Sequence, residues 1–575
     1  MNVHDLVIRN GRVFDGRGGA AITADVAVDG GVITEVGTVE ERGHEEIDAD
    51  GLAVTPGFID VHTHYDGQVT WDPLVTPSIW HGVTTVVMGN CGVGFAPAAP
   101  DRHDWLIGLM EGVEGIPGAS LREAIQWDWE SVPEYLDALD RIPRAIDIAA
   151  QIPHGAVRAY VMGERGASNE AATDDDVARM AQIVKEGVAA GAVGLSVNRL
   201  ELHKAVDGRE VPGTFADLDE IAALVRAAAA GSSDAVFTTI LSQKAGADRE
   251  FWEHEIDWMS GLSRETGLVM TLPFGGSSDG TWRGKLERFE RENAAGARMV
   301  PQVGSHRQGL LCGLRTLHPF MHSRTYQSLT DLPVDERARR MADPEMKKTI
   351  MAEAPSSKLP RFHELMLSQA TGVFPSRALP EFEPDPSTSL AAQAEALGRD
   401  PADLLYDWTI GDEGRALVHY FLGGGGGNLD HSLELLPHPA TVLGLGDGGA
   451  HVDLVCDVGY PTFLLWYWVR ERARGTLPLE TAIRILTSEP ARMYGFRDRG
   501  VIAPGYKADL NVLDTDAVRP HVPEIVYDLP AGAKRIIQHA DGYAATIVDG
   551  DVVQRAGEDT GARPGRVVRS APATR

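Results

Sequence analysis

Gly57-Phe58-Ile59-Asp60-Val61-His62-Thr63-His64 is the stretch on which the reading of this chain turns. Side chains two apart on a strand share a face, so His62 and His64 point together with Asp60 behind them. Ile59 and Val61 then face the surrounding helices. Two imidazoles at the C-terminal end of a first barrel strand form a clamp for a divalent metal. At the end of an unremarkable strand the same pair would be ordinary polar residues, so the pattern around it matters.

Working outward, short apolar runs alternate with amphipathic helical stretches, as in successive βα units. Eight candidate strands fall at 58–63, 83–88, 146–152, 192–197, 235–241, 268–273, 298–303 and 441–446. Eight is the number of a (β/α)8 barrel. Helices are expected between them, for example Asp176 to Ala190 and Asp217 to Ala230, both opening on acidic residues as helix N-termini prefer. The interval 305–440 is too long for a plain connection and holds helix-like pieces at Glu336 to Glu353 and Leu390 to Leu405. It reads as an insertion over the barrel mouth, either a lid or a homo-oligomer contact. Its glycine run, Gly423 to Gly427, lacks the Gly-Lys-Ser/Thr ending of a phosphate loop and reads as a flexible connection.

Short strands also occupy both ends, at Leu6 to Arg9 and Val26 to Val28, then at Val512-Leu513, Thr546 to Val548 and Val552-Val553. Neither set can bury a face alone, so the two are expected to pair into one small domain. The expected organisation is a composite β domain from 1–55 and 495–575, and a barrel from 56–494.

Composition is that of a globular protein: 575 residues, 43% hydrophobic and 24% charged. The formal net charge of −30 argues against nucleic acid and against an anionic membrane surface, which reward clustered Lys and Arg. Three cysteines, Cys91, Cys312 and Cys456, make a disulfide framework improbable. The opening MNVHDLVIRNGRVFDG does not read as a signal peptide, and the run Phe463 to Val469 is too short to span a bilayer. The cytoplasm is the expected compartment.

Further candidate residues cluster at strand ends. Cys91, in Met88-Gly89-Asn90-Cys91-Gly92 after the second strand, is either a soft ligand suited to zinc or a small buried hydrophobe. In Leu443-Gly444-Leu445-Gly446-Asp447-Gly448-Gly449-Ala450-His451 the glycine spacing fits a dinucleotide loop literally, but Asp447 inside it would repel a pyrophosphate. In a barrel, Asp447 instead reaches the rim of His62, where a carboxylate can bind metal and accept a proton. His451 is a substrate or supporting candidate. His154, His203 and His306 follow the third, fourth and seventh strands and could face the site, and Arg199 and Arg307 could clamp a substrate carboxylate.

At these residues the chain resembles the amidohydrolase superfamily, and within it the N-acyl-D-amino-acid deacylase (D-aminoacylase) group. The matching segments are Asp5 to Val13, Pro56 to His64, Gly89-Asn90-Cys91-Gly92, Asp447 to His451, Thr487 to Ala491 and Gly500 to Leu510, in the expected order along nearly the whole chain. The resemblance implies zinc held by His62, His64, Cys91 and Asp447, amide hydrolysis, and a composite β-sandwich beside a TIM-like α/β barrel. The family pattern also ends its fifth and sixth strands in histidine. Here Phe237-Thr238-Thr239-Ile240 and Met270-Thr271-Leu272-Pro273 stand there, and no lysine closes the fourth strand. One Zn2+ per chain is therefore expected instead of two, with His203 or His306 available for a vacant role.

The function expected is hydrolysis of a small-molecule amide other than a peptide bond, with Asp447 as the proton carrier and Arg199, His203, His306, Arg307 and His451 around the substrate. Two further readings change the chemistry: a cyclic amide or lactone as the bond cleaved, or a barrel that binds a ligand without catalysis.

Overall fold

The computed structural model describes residues 3–276, 280–353, 364, 366–376, 381–422 and 428–571. The glycine run Gly423 to Gly427 lies outside the described residues. Each of the eight intervals holds a parallel strand: β1 Phe58–Asp60, β2 Val83–Met88, β3 Asp147–Pro153, β4 Gly194–Asn198, β5 Val236–Ile240, β6 Val269–Thr271, β7 Gln302–Val303 and β8 Val442–Leu443. β1 to β6 pair in sequence order as one sheet. β6 continues to β7 through the bridges Met270–Met299 and Pro273–Gln302, and β7 pairs with β8. From β8 the pairing returns to β1, where Thr63 bridges Gly448, Asp447 N donates to His62 O at 3.0 Å, and His64 N donates to Gly448 O at 2.7 Å.

The sequence dictates these elements locally. β2 and β3 are buried along their whole length, as strands covered on both faces must be. The helix Asp174–Ala189 starts on a reciprocal cap: Thr173 Oγ1 accepts from Asp176 N at 3.2 Å, and the Asp176 carboxylate accepts from Thr173 N at 3.0 Å. It packs beside Leu218–Gly231, whose N-cap is Asp217. Among the described residues no helix is long and apolar enough to cross a membrane.

A nine-stranded sheet joins the two chain ends. His4–Val13, Ile22–Asp29, Val32–Gly37, Gly43–Asp48 and Ala53–Pro56 come from the N-terminal side, and Leu510–Leu513, Tyr543–Val548, Asp551–Arg555 and Glu558–Asp559 from the C-terminal side. The seam is the antiparallel pairing of Leu510–Leu513 with Ala53–Pro56. Leu6, Ile8, Val26, Val54, Leu510, Val512 and Ile547 form its core. Only Gly57 separates this sheet from β1, and a Cβ there would meet Thr84 Oγ1 at 2.2 Å. The seam thus fixes where β1 begins, and with it the position of His62.

Two parts of the stretch 495–575 lie outside that sheet. The hairpin Glu524–Leu529 and Ala533–Ile537 crosses to the loops around Thr76, where Arg535 Nη2 donates to Thr76 Oγ1 at 2.9 Å. Residues 564–570 return to the parallel strands, with Val567 bridging Ile148 and Ser570 N donating to Gly191 O at 2.9 Å. The insertion after β7 folds around its own core, including Phe320, Met341, Leu405, Tyr406 and Tyr420. It carries a three-stranded antiparallel sheet of Gly309–Cys312, Val418–Phe421 and Val373–Pro375.

The nine-stranded sheet and the parallel strands are tied by a buried charge cluster at the start of β3. Arg499 pairs with Asp147 and donates to Thr85 Oγ1 at 3.0 Å, while Lys507 Nζ donates to Asp147 at 2.6 Å and Asp509 at 2.8 Å. Burial alone would raise the Asp147 carboxyl, but Arg499 and Lys507 outweigh it and hold it below the usual range. Removing one partner of such a buried group leaves a bare charge, at a cost of about 3–5 kcal/mol. Arg499→Ala is accordingly expected to lower the urea midpoint of unfolding sharply. Arg497→Ala, whose ion pair with Asp234 lies at an 81% exposed side chain, is expected to leave it nearly unchanged.

Candidate metal centre

The rim at the C-terminal ends of the strands gathers donors from three segments. Ring centroids of His62 and His64 lie 5.4 Å apart. His62 Nε2 is 3.7 Å from Cys91 Sγ and 3.4 Å from Asp447 Oδ1, and His64 Nε2 is 3.8 Å from the same oxygen. Donor atoms of His62, His64 and Cys91 all lie within 4.8 Å of one another, and all three residues are buried. In a tetrahedral zinc site with bonds of about 2.0–2.3 Å, neighbouring donors are separated by roughly 3.4–3.7 Å.

Local chemistry explains why these side chains converge. Gly89 and Gly92 flank Asn90-Cys91 in left-handed conformations, and a Cβ on them would meet Gln151 O and Asn198 N, each at 2.6 Å. Asn90 Nδ2 donates to Thr63 O and Val87 O, both at 3.1 Å, and its Oδ1 accepts from Gln151 Nε2 at 2.8 Å. Cys91, at φ +54, is thereby turned toward His62. On the opposite wall Asp447 and His451 also take positive φ, +47 and +45, a strain that side chains at functional sites commonly carry. Gly448 and Gly449 lie against Tyr65 too closely for any Cβ.

The electrostatics fit a cation. Burial, reinforced by Glu114 and Asp447, pushes the Cys91 thiol well above its ordinary value, and burial with the neighbouring histidines pushes His64 well below its own. These groups stay neutral only for want of a compensating charge, and a divalent ion inverts that balance, stabilising the thiolate. His62 Nδ1 lies 2.8 Å from Gln302 Oε1, an acceptor, so Nδ1 carries the proton and Nε2 presents its lone pair to Cys91 and Asp447. Among the described residues this is the only grouping of at least three such donors.

No donor is added from β5 or β6. Thr238 Oγ1 donates to Gln151 Oε1 at 2.7 Å, joining the network that holds Asn90, and Met270 is wholly buried in the core. Burial lowers the pKa of both His203 and His306 to about 4. His203 is close enough to His62, His64 and His451 to interact with them electrostatically. His306 stacks on Phe382 with centroids 4.3 Å apart and lies 3.8 Å from Asp457 Oδ1. Arg307 lies over the Phe421 ring at 6.0 Å. His451 Nε2 is 3.7 Å from Glu114 Oε2.

Two expectations change. Arg199 donates at 3.1 Å to Oε1 of the buried Glu255, on the helix Arg249–Thr266, so its guanidinium is engaged by that helix and not held out to a substrate. His154 Nε2 pairs with Glu220 at 2.8 Å beside Arg158 and is equally structural. Two residues escaped the sequence reading, Gln302 and Glu114. Glu114 could have been flagged as a carboxylate four and seven residues after Met110 and Ile107 on an apolar helix stripe; nothing near Gln302 in sequence pointed to His62.

Leu311, Phe374, Phe382, His419 and Asp457 line a small pocket of about 30 Å³. Gln308, next to its lining residue Gly309, donates to Asp447 Oδ2 at 3.4 Å.

A sequence model of the amidohydrolase family matches residues 45–353 and 386–554. The chain is 29% identical to N-acyl-D-aspartate deacylase and 27% identical to D-aminoacylase, both of Alcaligenes xylosoxydans xylosoxydans, covering 98% of this chain in each case and 95% and 97% of theirs. A crystal structure of N-acyl-D-glutamate deacylase from Bordetella bronchiseptica, complexed with zinc and a phosphonate inhibitor, aligns with a TM-score of 0.62 at 23% identity, over 99% of this chain and 100% of that one.

Replacing Gln302 by Leu removes the acceptor that orients His62. Zinc affinity, measured by chelator competition, is expected to fall about 10–100-fold while the circular dichroism spectrum is unchanged.

Proposed function

The chain belongs to the amidohydrolase family, and we propose that it is a metal-dependent hydrolase of non-peptide C–N bonds that removes the acyl group from N-acyl-D-amino acids. The observation that carries this reading is the convergence of His62, His64 and Cys91, with Asp447 against both imidazoles, at one rim. Full-length similarity to two enzymes named for deacylation of N-acyl-D-amino acids supports the substrate class.

The parallel pairings that return from β8 to β1 support a closed (β/α)8 barrel, and the sheet made from both ends supports a companion β-sandwich. Zinc suits the mixed imidazole, thiolate and carboxylate donors, and the absence of donors on β5 and β6 among the described residues supports one ion per chain. Free cysteines at all three positions support a reducing compartment, the cytoplasm.

A divalent ion bound there supplies Lewis acidity, which brings the pKa of water near 7 and polarises a carbonyl. The remaining steps belong to side chains. Asp447, beside both histidines, takes a proton from the attacking water and passes it to the departing nitrogen, so that the C–N bond breaks to release a neutral amine. Gln308 steadies Asp447 through its second oxygen. His203 and His306, neutral at pH 7 because burial holds them near 4, act through hydrogen bonds instead of charge. Arg307 is assigned to the substrate carboxylate.

Asp447→Asn is expected to keep its zinc and lose about 10²–10⁴-fold in kcat on N-acetyl-D-amino acids. The check is metal content together with turnover on paired D and L substrates. Parent turnover in the variant would remove Asp447 from the mechanism, and equal rates on D and L substrates would remove the stereochemical assignment.

A further inference from the structure

We propose that Glu114 is a positioning residue: through one shared proton it fixes which nitrogen of His64 faces the metal donors, and it seats His451 beside them. This rests on His64 being a metal donor, as argued above.

Glu114 ends the helix His103–Glu114 on the stripe of Ile107, Met110 and Val113, and is 2% exposed. A carboxylate so buried needs a counter-charge or hydrogen bonds. Among the described residues it has no arginine or lysine partner; the basic groups within ion-pair distance are His64 and His451. Its Oε1 is 3.4 Å from His64 Nδ1, and both atoms are buried without a hydrogen-bond partner elsewhere or a hydrogen bond formed between them. A single proton on that axis satisfies both. It also leaves Nε2, which is 3.8 Å from Asp447 Oδ1, as the open lone pair. Without the carboxylate nothing holds the imidazole in that tautomer, and the alternative points an N–H at the donor cluster.

The second oxygen works on the opposite wall. Glu114 Oε2 is 3.7 Å from His451 Nε2, and the Glu114 carbonyl accepts from His451 N. Gly115 ends the helix at φ +65, and a Cβ there would come within 3.3 Å of the His451 Cα, so the helix end rests directly on the loop that carries Asp447. One residue therefore spans the end of β1 and the loop after β8. A role as mere filler would require only volume, whereas the approach to His64 Nδ1 calls for an acceptor oxygen.

Two variants of the full chain test this, with circular dichroism as the control for folding. Glu114→Gln keeps the volume and one acceptor; Glu114→Ala keeps neither. In metal-free protein labelled with ¹⁵N-histidine, and with His64 assigned by His64→Gln, the Nδ1–H tautomer is expected in the parent and its loss in Glu114→Ala. Zinc affinity by chelator competition is expected to fall about 10–100-fold in Glu114→Ala and to be largely rescued in Glu114→Gln. An unchanged His64 tautomer together with unchanged zinc affinity in Glu114→Ala would overturn the proposal. If the parent itself bound no zinc, the metal reading would fall, and the tautomer in Glu114→Ala would still decide the role of Glu114.

Discussion

The interaction on which the rest depends is the approach of three buried donors, His62, His64 and Cys91, without any counter-charge among them. Gathering imidazoles and a thiol in a dry place has no stabilising logic of its own, since each would be better solvated at the surface. The fold maintains the arrangement through main-chain hydrogen bonds between the end of β1 and the loop after β8, and through Asn90, which ties the Cys91 turn to both β1 and β3. A cation that every donor can share turns this concentration of polar groups from a liability into a site.

The two ends of the parallel strands differ. At one end, Asp147, Arg499, Lys507 and Asp509 form a buried ionic network that joins the parallel strands to the nine-stranded sheet, and residues 564–570 lie along β3. At the mouth, polar atoms are left open: His64 Nδ1, Glu114 Oε1, Gln302 Nε2 and His203 Nδ1 are buried without hydrogen-bond partners. Strained turns at Cys91, Asp447 and His451 lie at the same end.

Much of this was legible in the chain because it is written locally. A two-residue alternation places His62 and His64 on one face, glycines mark the turns that present Cys91 and Asp447, and apolar runs locate the strands. What stayed hidden depends on partners far away in sequence. Gln302 meets His62 across 240 residues, and the partner that occupies Arg199, Glu255, lies 56 residues further along the chain. Glu114 was masked by its own helix, whose amphipathic pattern gives a charged residue on the apolar face no address. The hairpin Glu524–Leu529 with Ala533–Ile537 carries no signal of its destination in the sequence: it forms a separate two-stranded sheet held to Thr76 by Arg535.

The most direct test is anomalous X-ray diffraction at the zinc absorption edge from crystals grown with zinc. The account predicts one strong peak per chain, about 2.0–2.3 Å from a nitrogen of His62, a nitrogen of His64 and the sulfur of Cys91, with an Asp447 oxygen completing or flanking the shell. A map with no peak between those side chains, or with zinc held only at surface carboxylates, would contradict it.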